Sequence, residues 1–111
     1  MIEYRELSEQ DVVKATRLLG LARRAGYLIR GEEQVRRALQ RGRGELFIVA
    51  KDVATGSLQK ILPSVESSQV PQVNWSTKEG LGEASGWSET AYLLVTDPSM
   101  AKGLLKLYQP L

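Results

Sequence analysis

The chain has 111 residues and a formal net charge of +2, with 42% hydrophobic and 25% charged residues. That is the composition of one globular domain, residues 1–111, and not of a disordered or fibrous chain. It contains no Cys and no His, which removes the thiolate nucleophile, the imidazole base and every Cys/His zinc site; with the acids scattered outside calcium-loop spacing, no enzyme, metal or cofactor is expected.

In chain order, Ser8 followed by Glu9 and Asp11 suits a helix start, and Val12, Ala15, Leu19 and Ala22 recur at helical spacing. A helix is predicted over about 9–25, stopped at Gly26. Tyr27–Ile29 reads as a short strand before Gly31. Val35, Ala38 and Leu39 mark the buried stripe of a second helix from about Glu32 to Arg41. Leu46–Ala50 is a continuous apolar run, as in a strand covered on both faces. A loop over 51–56 leads to a helix near 57–67, in which Pro63 predicts a kink or a second turn. Gln72–Trp75 is a short strand. Ser76-Thr77-Lys78-Glu79 has capping-box spacing, with Ser76 as the cap of a helix ending by Gly86. Thr90–Thr96 is the strongest strand signal, and Asp97-Pro98 opens a helix to about Leu107. The alternation predicts a three-layer α/β/α sandwich around a mostly four-stranded mixed sheet. The apolar runs of five residues are far short of the roughly 20 that span a bilayer, and "MIEYRELSEQ" lacks the pattern of a secretory leader. A cytoplasmic, monomeric protein with no membrane partner is the expectation.

Charge is unevenly placed. Residues 14–43 hold nine basic and two acidic side chains, a local balance of +7. Within "RGEEQVRRALQRGRG", Glu32 with Arg36 and Glu33 with Arg37 are favourable i,i+4 pairs worth about 0.2–0.5 kcal/mol each. Arg30, Arg41 and Arg43 have no such partner, and Lys14, Arg17 and Arg24 form a second basic face on the first helix. Composition alone leaves a solvated face and an anion-binding surface equally open. Trp87, in "ASGWSET", is a core plug or a platform for an unstacked base, and the residues alone favour the plug. Trp75 reads as core.

The order "LLGLARRAGYLIRGEEQVRRAL", "RGRGELFIVAKDV", "STKEGLGEASG", "AYLLVTDPSMAKGL" resembles the bacterial YlxQ branch of the kink-turn-binding ribosomal protein superfamily (the L-seven-Ae type), from about Val13 to Leu105. The resemblance implies a ribosome-associated, non-enzymatic protein for structured RNA, either rRNA or another kink-turn RNA. In that superfamily the second helix begins Gly-x-Asn-Glu-x-x-Lys and enters the major groove at tandem sheared G·A pairs. Here Gly31 and the basic character at Arg37 are retained, while Glu33 stands for Asn, Gln34 for Glu, and Glu32 lies between. An ionised Glu33 only accepts hydrogen bonds, which disfavours guanine O6 and phosphate. By the resemblance Gly31 allows close backbone approach, Glu33, Gln34 and Arg37 line the groove, Arg30, Arg41 and Lys51 hold phosphates, and Trp87 covers an extruded base. The alternatives are a protein-interaction module on the same fold and a separated recognition unit of the kind fused to RNA methyltransferases.

Overall fold

The computed structural model describes residues 3–111; the first two residues of the single-domain reading lie outside them. Five helices and four strands alternate: α1 (Glu9–Arg24), β1 (Leu28–Arg30), α2 (Glu32–Gln40), β2 (Leu46–Ala50), α3 (Thr55–Ser68), β3 (Gln72–Trp75), α4 (Lys78–Ser85), β4 (Tyr92–Val95) and α5 (Pro98–Leu105). The strands form one mixed sheet in the order β1-β4-β2-β3. β4 runs antiparallel to β1 and β2, and β2 runs parallel to β3.

The pleat of the two central strands builds a core on each face. Leu46, Ile48 and Ala50 of β2, with Leu93 and Val95 of β4, pack against Ala15 and Leu19 of α1, Leu81 of α4, and Ala101 and Leu104 of α5. Phe47 and Val49, with Tyr92 and Leu94, point the other way, onto Val35, Ala38 and Leu39 of α2 and Ile61 and Val65 of α3. This is the expected sandwich, and it explains why both central strands read as unbroken apolar runs: alternate side chains are buried on opposite faces.

Element ends differ from the sequence reading in ways local chemistry explains. Thr77, not Ser76, caps α4: its side chain accepts from the Gly80 amide at 2.9 Å. The third residue after that cap is Gly80, so no reciprocal capping box forms. Ser8 and Asp97 cap α1 and α5 as expected. α3 starts two residues early and carries Pro63 inside one continuous helix. β1 is shifted by one residue, to Leu28–Arg30, and its last residue pairs with Leu93. The predicted Glu32–Arg36 pair is absent from the ion pairs of the described residues, whereas Glu33–Arg37 forms at 2.6 Å.

Candidate nucleic-acid interface

The strand directions gather one end of the sheet. β1, β2 and β3 finish where β4 begins, so Gly31 with the start of α2, the turn at Lys51 and Asp52, and the segment from Gly86 to Ala91 all emerge on that edge. Sequence-remote residues therefore share a surface, and a cleft of about 250 Å³ lies between the start of α2 and the approach to β4, lined by Arg30, Gly31, Glu32, Glu89, Thr90, Ala91 and Tyr92.

Gly31 is the N-cap of α2, with φ 97° and ψ 149° and no side-chain cap. That backbone region is essentially closed to residues with a Cβ. With no capping side chain over them, the amides that open α2 form a donor-rich, partially positive helix end. Gln34 reaches back over the glycine: its Oε1 stands 2.7 Å from where a Gly31 Cβ would be. A partner can therefore meet bare backbone and a side-chain amide at one point.

The two glutamates of this first turn are held differently. Glu33 is exposed and paired with the exposed Arg37, an arrangement worth only a few tenths of a kcal/mol and easily opened. Glu32 turns toward α3, where it accepts from Ser57 Oγ at 3.2 Å, and Ser57 Oγ lies 2.7 Å from Tyr92 Oη. Ser57 has one hydroxyl proton, so a single direction satisfies all three groups: Tyr92 donates to Ser57 and Ser57 donates to Glu32. This is why Glu32 does not pair with Arg36. Burial raises the Tyr92 pKa and the Glu32 charge adds to the shift; the Ser57 hydroxyl, able to turn and donate to a phenolate, partly offsets it.

Trp87 is half-buried against the core cluster on the α1 side. The Arg23 guanidinium lies over its ring, 3.6 Å from the centroid, and the Arg30 guanidinium is 5.7 Å away. Arg23 Nη1 also donates to the Gly86 carbonyl at 2.6 Å and the Ser85 carbonyl at 3.2 Å, placing a cation on the C-terminal carbonyls of α4. Arg30 donates from Nε to Thr90 Oγ1 at 2.9 Å and from Nη2 to the Glu89 carbonyl at 2.9 Å and Ser88 Oγ at 3.4 Å. The indole is therefore neither a fully buried plug nor a naked platform. One arginine covers it, and a second ties its loop to the edge of β1.

The three residues expected to hold phosphates lie apart from one another, at the end of β1 and just after β2 and α2. Arg30 uses Nε and Nη2 to order the 88–90 segment, through two hydroxyls and one carbonyl. Lys51 lies on the gathered edge, but two strands away from β1, and its ammonium pairs with Glu6. Arg41 follows the last turn of α2, about 15 Å along the helix from Gly31 at 1.5 Å per residue. The basic residues of 14–43 are in fact divided among the outer side of α1, the gathered edge and the far end of α2. Charge at the edge itself is mixed, since Glu6, Glu32, Glu33 and Glu89 stand among Arg23, Arg30, Arg37, Lys51 and Lys78. Arg23, which the sequence reading passed over, completes the surface. Its partners are more than 60 residues away, and no local pattern signals them.

The fold and this edge define a class: small α/β/α domains that present a helix N-terminus and the loop before the last strand side by side. The chain belongs to the ribosomal protein L7Ae/L30e/S12e/Gadd45 family, whose model matches residues 14–105. It is similar to a protein of unknown function from Bacillus halodurans, at 36% identity and a TM-score of 0.79, over 85% of this chain and 95% of that one. It shares its fold with the 15.5 kD RNA-binding protein of Giardia lamblia, at 20% identity and a TM-score of 0.76, over 92% and 88% of the two chains.

Proposed function

We propose that this is a non-enzymatic, ribosome-associated RNA-binding protein, which recognises a structured RNA such as a kink-turn through the N-terminus of α2 and the Trp87 loop. The observation that carries the reading is the juxtaposition of those two features. Arg30, the last residue before Gly31, hydrogen-bonds into the 88–90 segment and fixes the spacing between a backbone donor surface and an aromatic ring. Family membership and the RNA-binding protein of the same fold support the same class of partner.

The chemistry follows from the geometry. Gly31 and the open amides of α2 suit phosphate or base-edge oxygens at close range. Gln34 can donate to and accept from one base edge. Arg37, once it leaves Glu33, can donate bidentately to guanine or phosphate, and the freed Glu33 accepts from guanine amino or imino groups. The exposed part of Trp87 covers an unstacked base. The YlxQ branch and a cytoplasmic location belong to the same reading.

The test is a titration of a labelled kink-turn RNA against the same duplex with its tandem G·A pairs replaced by Watson–Crick pairs, in magnesium buffer at two salt concentrations. Preference for the kink-turn is expected. Equal, salt-sensitive binding to both would replace kink-turn recognition with a broader RNA target, and no binding to either would sink the RNA reading in favour of a protein partner.

A further inference from the structure

α1 presents a solvent side that the edge described above does not use. At 3.6 residues per turn, Gln10, Val13, Lys14, Arg17, Gly20, Leu21 and Arg24 fall within an arc of about 120°. The arc carries three cations and no acid. Lys14, Arg17 and Arg24 are all exposed. The ion pairs of the described residues, Glu33–Arg37, Glu6–Lys51 and Lys78–Glu89, engage none of them, although α4 and the loop after it bring Glu79, Glu83 and Glu89 to the same layer. Like charges on one helix face repel, and only Arg24, in the last turn of α1, gains from the helix dipole.

The arc also adjoins the Trp87 loop. Arg23, over the indole, is the neighbour of Arg24, and the Arg24 guanidinium folds back beside Gly20, with Nη1 3.8 Å from where a Gly20 Cβ would be. From Arg24 to Lys14 the cations extend for about 15 Å along the helix, comparable with the axial rise of about four base pairs of a duplex. The exposed aliphatic residues of the arc, Val13 at 53% and Leu21 at 47%, are two turns apart with Arg17 between them. They do not merge into the apolar patch a protein partner would need.

We propose that the outer face of α1 is a second RNA contact surface, on which Lys14, Arg17 and Arg24 hold the phosphates of a helical stem running on from the nucleotide at Trp87. This rests on the RNA-binding reading and adds to it a requirement for stem length, which neither the helix N-terminus nor the loop imposes.

The experiment compares a kink-turn RNA whose stems are cut to a few base pairs with RNAs in which each stem in turn is extended by a full helical turn. Each is titrated with the wild type, with Trp87→Ala and with the combined variant Lys14→Gln, Arg17→Gln, Arg24→Gln. Gln is a good helix former and the three positions are exposed, so thermal melts of the combined variant should match the wild type. The wild type should bind one extended RNA about tenfold or more tightly than the short one, with a log K against log salt slope steeper by about 2–3. The combined variant should lose that gain and bind the short RNA as the wild type does. Equal affinity of wild type and combined variant for every extended RNA, or no effect of stem length, would overturn the α1 surface; the RNA reading would survive if Trp87→Ala still weakened binding. A wild type that binds none of the RNAs would overturn both.

Discussion

Trp87 has two roles, in packing and in base stacking, and one substitution touches both. Its ring packs on the core side of α4 and under Arg23, so Trp87→Ala should lower stability modestly while weakening RNA binding by about 1–3 kcal/mol, the usual worth of one stacked base. Titration alongside a urea melt checks this; an affinity that stays at the wild-type value removes the stacking role. At Gly31 the order is reversed. Its backbone excludes a Cβ, so Gly31→Ala should cost about 1–3 kcal/mol of stability, read from the urea midpoint. The residues legible in the sequence were those whose cue is local: Gly31 before a helix, Glu33 four residues from Arg37, Trp75 at the end of a strand. Arg23 was not legible, because its carbonyl partners and its aromatic ring come from the far half of the chain. Spacing alone pairs Glu32 with Arg36, whereas in the fold α3 and β4 bring Ser57 and Tyr92 to it, and Glu32 accepts from Ser57 instead.

Among the elements, α4 and its return loop govern the site. The loop folds back along the helix, with the Trp87 amide donating to the Gly82 carbonyl at 2.8 Å and the Thr90 amide to the Lys78 carbonyl at 2.9 Å. Gly82 lets it lie that close: an added Cβ there would stand 1.8 Å from the Ser88 carbonyl oxygen, a backbone atom that cannot step aside alone. Gly82→Ala should therefore push the loop off the helix. The expected results are a loss of about 1–3 kcal/mol in stability, as for other overpacked sites, and a drop in RNA affinity of tenfold or more. Wild-type affinity in a folded Gly82→Ala protein would show that the loop position does not matter to binding. Element existence was legible because α1, α4 and α5 open on capping side chains, α2 keeps an apolar stripe, and both central strands are apolar throughout. Cap placement after β3 was not, since Ser76 is the better capping residue by type and yet Thr77 is the one that accepts from the helix.

For the whole molecule, the absence of His leaves no side chain with an ordinary pKa between 5 and 8, so RNA affinity should be flat from about pH 6 to 8; a sigmoidal change there would count against the site as described. Stability should respond at the alkaline end instead. Burial raises the pKa of both Tyr92 and Tyr108 above the usual value of 10.0. The unfolded chain therefore loses these protons first, the folded state holds more of them above pH 10, and stability falls as pH rises. Tyr108→Phe should flatten part of that fall in urea melts, although it also removes the hydrogen bond to the Asn74 carbonyl at 3.0 Å. The charge asymmetry was visible in the sequence, but its partition among three surfaces was not, because that depends on which layer each helix joins. The two indoles lie in opposite settings: Trp75 is sealed in the core at 6% exposure, and Trp87 is half-open beneath a guanidinium. The protein thus carries its own optical gauge. Trp75 provides a steady background and Trp87 a ring whose emission a stacked base should quench, so occupancy can be followed by stopped-flow fluorescence on unlabelled protein and RNA, and the speed of loop engagement becomes measurable as well as its strength.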